Sequence, residues 1–147
     1  MSGWPEGMAP DQATLHARNE LTIPAAPEPL WDRLVDATAW PAWYPNARNV
    51  RVLGATELAE GVRFRWTTFG LRGTCTVTTF RPYRELAWSS AFLGSRAHHR
   101  WRFTAKPDGT TTVVTEETQR GLLPGLFTSR VRAGLLHWHQ RWLEGLA

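Results

Sequence analysis

His99 and Glu117 are the side chains of this sequence best placed for proton chemistry on a buried face. A histidine and a glutamate held together can take up and return a proton near neutral pH, or orient a hydroxyl or carbonyl. His99 has the alternation parity of Trp101 and Phe103, and Glu117 that of Val113 and Thr115, so each points with apolar neighbours. The second segment is ambiguous, because Val114 shares the opposite face with Glu116. An inward carboxylate is costly unless paired or hydrogen-bonded. Two readings therefore stay open: a structural polar pair, or a pair that orients a ligand or moves a proton during enolisation, with Tyr44 and Arg120 as further polar groups.

The remaining chemistry is sparser. Cys75 is the single cysteine, which excludes an intramolecular disulfide and a cysteine metal cluster. Its expected role is a small buried hydrophobe. His98 and His99 are adjacent on an extended segment and point to opposite faces. His137 and His139 stand two apart on a helical segment and diverge as well. No zinc or other metal site is expected, and the sequence has no GxSxG, Walker or dinucleotide glycine motif, so no cofactor is expected either.

The elements that must position these groups follow from periodicity. Apolar residues alternate from Ala13 to Ile23, marking a half-buried strand. Pro27 and Pro29 suit the first turn of a short helix carrying Leu30, Trp31, Leu34 and Val35 on one side. The aromatic segment DATAWPAWYPN at 36–46 follows, interrupted by Pro41 and Pro45. Strands are expected at 48–53, 62–69, 72–80, 85–92, 96–105 and 110–119, with a hairpin at Gly70-Leu71 and turns at Gly94-Ser95 and 106–109. After Gly121 and Pro124 the period becomes helical, with Phe127, Val131, Leu135, Trp138, Trp142 and Leu146 on one stripe. Gly134 within that helix suggests close approach to another element or to a ligand. Consecutive strands and one long terminal helix imply an α+β fold with an antiparallel sheet.

Composition limits the function. The chain of 147 residues is one domain in size, with residues 1–11 as a flexible polar leader and 12–147 as the domain. The net charge of +4 is almost wholly arginine, with Lys106 the single lysine, and the basic residues are scattered, so no nucleic-acid partner is expected. No apolar run approaches the ~20 residues that cross a bilayer, which argues against stable membrane insertion. The leader lacks the regions of a signal peptide, and the expected location is cytoplasmic.

The stretches PEPLWDRLVDATAWPAWYPNARNV at 27–50, GVRFRW at 61–66, TTVVTEETQRG at 111–121 and the terminal LHWHQRWLEGLA carry a resemblance. The sequence resembles the START-like (SRPBCC) superfamily, most closely its polyketide cyclase/dehydrase and lipid-transport group. The resemblance runs from about residue 12 to the end. It implies a helix-grip fold, in which a curved antiparallel sheet wraps a long C-terminal helix, with two short helices after the first strand. Members bind lipids, hormones or polyketide intermediates, and some catalyse cyclisation or dehydration.

Strand parity then gives one aromatic face, with Phe64, Trp66, Cys75, Val77, Trp88, His99, Trp101 and Glu117 pointing inward. Arg63, Arg65, Arg72, Arg100 and Arg102 are expected on the outer face. Leu135 and Trp138 face the sheet from the helix, while Trp43 and Tyr44 are expected at the cavity wall or entrance, opposite that helix. The inner face can form either a solid core or a pocket, and the resemblance favours the pocket. The first expectation is a binding or transport module for a hydrophobic small molecule, lipid-like or polyketide-like. The alternative is a polyketide cyclase/dehydratase working through His99 and Glu117. A protein-interaction domain is the third reading.

Overall fold

In the computed structural model, which describes residues 3–147, the alternating segments become seven strands. They are β1 (Leu15–Ile23), β2 (Ala47–Leu53), β3 (Arg63–Thr68), β4 (Leu71–Arg81), β5 (Glu85–Phe92), β6 (Ser95–Ala105) and β7 (Thr111–Gly121). One antiparallel sheet holds them in the order β1-β7-β6-β5-β4-β3-β2. Register irregularities between Arg48 and Arg51 and between Val77 and Thr79 bend their strands. The resulting curved sheet carries helices on its concave side. These are α1 (Pro27–Val35), a 3₁₀ helix (Ala37–Ala42), α2 (Leu122–Leu126) and the long α3 (Thr128–Leu146).

Leu135, Trp142, Leu143 and Leu146 of α3 are buried against the sheet. The edge strand β1 holds the helix in place. Asn19 Nδ2 donates to Leu136 O at 2.9 Å and to Gln140 Oε1 at 3.2 Å, and Arg132 Nε donates to His16 O at 3.0 Å. The aromatic stretch after α1 packs directly on α3. Trp40 is fully buried, donates from Nε1 to Leu34 O at 2.9 Å, and lies 5.0 Å from the Trp142 ring. Tyr44 stacks on Trp142 at 4.3 Å with planes 6° apart.

Several details differ from the sequence reading. The expected single terminal helix is broken at Phe127, whose backbone leaves the helical region, and Thr128 Oγ1 caps Pro124 O at 2.5 Å. Phe127 is consequently half exposed instead of continuing the buried stripe. The two hairpin turns fall one residue earlier than expected, at Phe69-Gly70 and Leu93-Gly94. Both first turn residues sit in the left-handed region, with φ of 52° and 42°, which non-glycine residues rarely adopt. Within the long helix the tight approach to another element is at Gly145, while Gly134 makes only ordinary contact with the protein. A Cβ on Gly145 would lie 2.5 Å from Trp43 O, whereas one on Gly134 would meet Phe69 Cε1 at 3.6 Å, ordinary contact.

The leader lies against the outer face of the sheet, and its first two residues, Met1 and Ser2, are outside the described residues. Met8 is buried, Trp4 meets His98 edge-on at 5.4 Å, and Arg100 stands over the Trp4 ring at 5.6 Å. His98, expected on a solvated face, is thereby covered, and Ser89 Oγ lies 2.7 Å from its Nδ1. Of the outer arginines, Arg100 pairs with Glu85 at 2.9 Å and Arg102 with Glu116 at 3.1 Å.

Candidate functional site

A sheet that bends away from a single helix cannot be filled everywhere, and the gap opens between β3–β7 and α3. It is a cavity of about 300 Å³ lined mainly by apolar side chains. Tyr44, Trp66, Trp88, His99, Glu117 and Leu135 of the expected set line it. Phe64, Cys75, Val77 and Trp101 point inward as parity requires but are buried in the packed core beside the cavity. Trp138 packs partly buried on that core. Trp43 lies outside the cavity, with Arg33 4.6 Å over its ring and its carbonyl against Gly145. Tyr44 reaches the cavity from beside α3 and not from the opposite wall, because its ring is clamped to Trp142. Arg72, expected outside, also borders the opening.

The opening lies between the β3–β4 turn, α2 and the start of α3, where Phe69, Leu123, Arg130 and Gly134 line it. Phe69 is 41% exposed, and the neighbouring Leu122 is 63% exposed. Gly73 lines the sheet wall beside Trp66, its partner on the neighbouring strand, and nothing lies within 4 Å of where its Cβ would be. Glycine weakens a strand interior, so its place here leaves volume in the cavity at a cost to the sheet.

The floor is polar. His99 and Glu117 face each other across β6 and β7, with His99 Nδ1 3.4 Å from Glu117 Oε1. His139 enters from α3, its Nε2 3.5 Å from the same oxygen and its ring stacked 4.5 Å from that of His99. Thr115 Oγ1 lies 2.6 Å from His99 Nε2, and Gln119 Nε2 donates to Glu117 Oε2 at 2.5 Å. Burial, with His139 and His98 nearby, holds the His99 pKa well below the usual histidine value, so its imidazole is neutral at pH 7. Burial likewise raises the Tyr44 hydroxyl, which accepts from Asn46 Nδ2 at 3.1 Å. Cys75 is shut away from this floor, and burial pushes its thiol up to about 12, which leaves it protonated and inert.

His139 is the functional candidate that sequence reasoning missed. The divergence of His137 and His139 along the helix is correct, but it concerns only that pair. The useful signal was spacing: His139 follows Leu135 by four and precedes Trp142 by three, which places it on the buried stripe. No helix among the described residues is long and apolar enough to cross a membrane.

Solved structures share this architecture. A hypothetical protein, jhp0584 from Helicobacter pylori, is 25% identical with a TM-score of 0.90, over 99% of this chain and 94% of that one. A START superfamily protein from Mycobacterium smegmatis matches at 15% identity and a TM-score of 0.71, over 88% and 94%. DynU16, a putative protein in the dynemicin biosynthetic locus, matches at 20% identity and a TM-score of 0.66, over 89% of this chain and 46% of that one. A search of curated proteins finds no match to the sequence. The model of one family, polyketide cyclase / dehydrase and lipid transport, matches residues 14–147, nearly the whole chain, and with its START-like fold the protein belongs to that family.

Proposed function

We propose that the protein binds an apolar small molecule in the cavity between sheet and α3, with one polar end resting on His99, Glu117 and His139. The observation that carries this reading is the cavity itself, whose roughly 300 Å³ falls at the lower end of ordinary small-molecule sites. Gly73 supports it, since a residue chosen only for stability there would fill the space. The apolar turn tip Phe69 supports it as well. A phenylalanine at φ 52° is strained by ~1–3 kcal/mol, and it borders the opening through which an apolar ligand would pass. In this reading residues 12–147 are the binding domain and a lipid-like or polyketide-like compound is the ligand. Native mass spectrometry of the purified protein tests it: a co-purifying or added apolar compound binding one per chain is the expected result. No adduct with any of a fatty-acid and aromatic-polyketide panel contradicts it.

The polar floor favours a second reading, a cyclase or dehydratase. A neutral imidazole beside a carboxylate can relay a proton at the ligand's polar end. Full turnover of a poly-keto substrate by the His99→Ala, Glu117→Gln double variant would remove this pair as catalysts.

A further inference from the structure

The floor of the cavity has a geometry that proton sharing does not explain. Glu117 Oε1 stands almost equidistant from two imidazole nitrogens, 3.4 Å from His99 Nδ1 and 3.5 Å from His139 Nε2. A charge-assisted N–H···O bond would be about 2.7–2.9 Å. The ligand atoms of a tetrahedral ion bound at about 2.0–2.1 Å are instead separated by about 3.4 Å along each edge. One ligand atom from each of His99, Glu117 and His139 lies within 4.8 Å of the others, and all three residues are at least nine-tenths buried.

Ligation turns the two imidazoles out of their 28° stack so that both in-plane lone pairs meet the ion, and the other surroundings fit it. Thr115 Oγ1, 2.6 Å from His99 Nε2, can accept the proton there and leave the Nδ1 lone pair facing the carboxylate. In that tautomer two acceptors face each other, a pairing that a cation between them relieves. Gln119 holds the other carboxylate oxygen, which fixes Oε1 toward the histidines. His139 Nδ1 has no hydrogen-bond partner, and among the described residues the ion-pair partners of Glu117 are these two histidines, with no lysine or arginine. His99, Glu117 and His139 all border the cavity, so a fourth position would open toward the ligand.

We propose that His99 Nδ1, Glu117 Oε1 and His139 Nε2 form a site for a divalent first-row metal ion, zinc foremost, with its open position facing the cavity. Two imidazoles and one carboxylate with a free position form a donor set suited to zinc acting on a bound oxygen. Such an ion polarises a ligand carbonyl or carboxylate at the polar end, a Lewis-acid role beyond simple binding. The site uses the same floor as the proposed ligand cavity, but the cavity's apolar binding does not require the ion.

The test begins with protein stripped by a chelator and desalted, then titrated with Co²⁺ as a spectroscopic probe and with Zn²⁺ against a chromophoric chelator. One equivalent should bind, giving the d–d absorption of a four- or five-coordinate cobalt centre. His139→Ala and the near-isosteric Glu117→Gln, each checked for native circular dichroism, should lose that spectrum. Gln119→Ala should weaken binding by about 10–100-fold, and His137→Ala should change nothing. Absence of stoichiometric uptake by the wild type overturns the proposal, as does an unchanged spectrum in folded Glu117→Gln. An anilinonaphthalene sulfonate titration of the same stripped sample separates the two claims. Dye binding without cobalt uptake overturns the metal site alone, and cobalt uptake without dye binding supports the site while contradicting the apolar cavity.

Discussion

The imidazole of His139 stacks on that of His99, with ring centroids 4.5 Å apart and planes 28° apart. One residue comes from α3 and the other from β6, so this contact ties the helix to the sheet at the cavity floor. It forms because Trp142, one turn further along, is locked between Trp40 and Tyr44 and fixes the rotation of the helix.

That rotational lock makes Trp142 the first target. Trp142→Ala removes the stack on Tyr44 and the contact with Trp40, leaving a void in the aromatic core. We expect a loss of about 3–5 kcal/mol in urea unfolding. A loss below about 1 kcal/mol would mean that the helix is held mainly by Asn19 and Arg132, a magnitude within the range of ordinary hydrogen bonds.

The two helical glycines should respond oppositely to alanine. Gly134→Ala meets only ordinary contact with Phe69 and gains helix propensity, so stability should rise by up to ~1 kcal/mol. Gly145→Ala drives a Cβ into the Trp43 carbonyl and should cost about 1–3 kcal/mol. Thermal melts of both variants check this, and a stabilised Gly145→Ala would contradict the packing described.

Cys75 gives a pH signature. Its thiol titrates near 9 when exposed and at about 12 when folded, so the folded state holds its proton where the unfolded chain has lost it. Stability should therefore be unaffected below pH 9 and fall above it, by at most about 1.4 kcal/mol per pH unit for this group. Native protein at pH 8 should resist a thiol-specific disulfide reagent until denaturant is added. Rapid labelling of the folded protein would show that Cys75 is accessible.

Much of this was legible in the sequence because the sheet's inner face follows strict parity. His99 and Glu117 occupy paired positions on β6 and β7, and Phe64, Trp66, Trp88 and Trp101 share their side. Parity says which way a side chain points but not whether space remains in front of it. Trp101 and Cys75 therefore ended in solid core while Trp66 and Trp88 line the cavity. Helix rotation was the second gap. The expected stripe ran through Trp138, whereas the docking of Trp142 turns His139 inward and leaves Trp138 only partly buried. The turns moved because Phe69 and Leu93 take left-handed conformations that local preference assigns to glycine or asparagine.

Gly73 offers the most direct measurement. A leucine there projects into open cavity, meets nothing within 4 Å of its Cβ, and replaces a strand glycine by a better strand former. Titration of wild type and Gly73→Leu with anilinonaphthalene sulfonate, alongside thermal melts of both, separates stability from binding. We expect the variant to melt at the same or a higher temperature and to bind the probe at least ~10-fold more weakly, a loss of about 1.4 kcal/mol or more. Equal probe affinity in the wild type and a folded Gly73→Leu would contradict a ligand cavity between the sheet and α3.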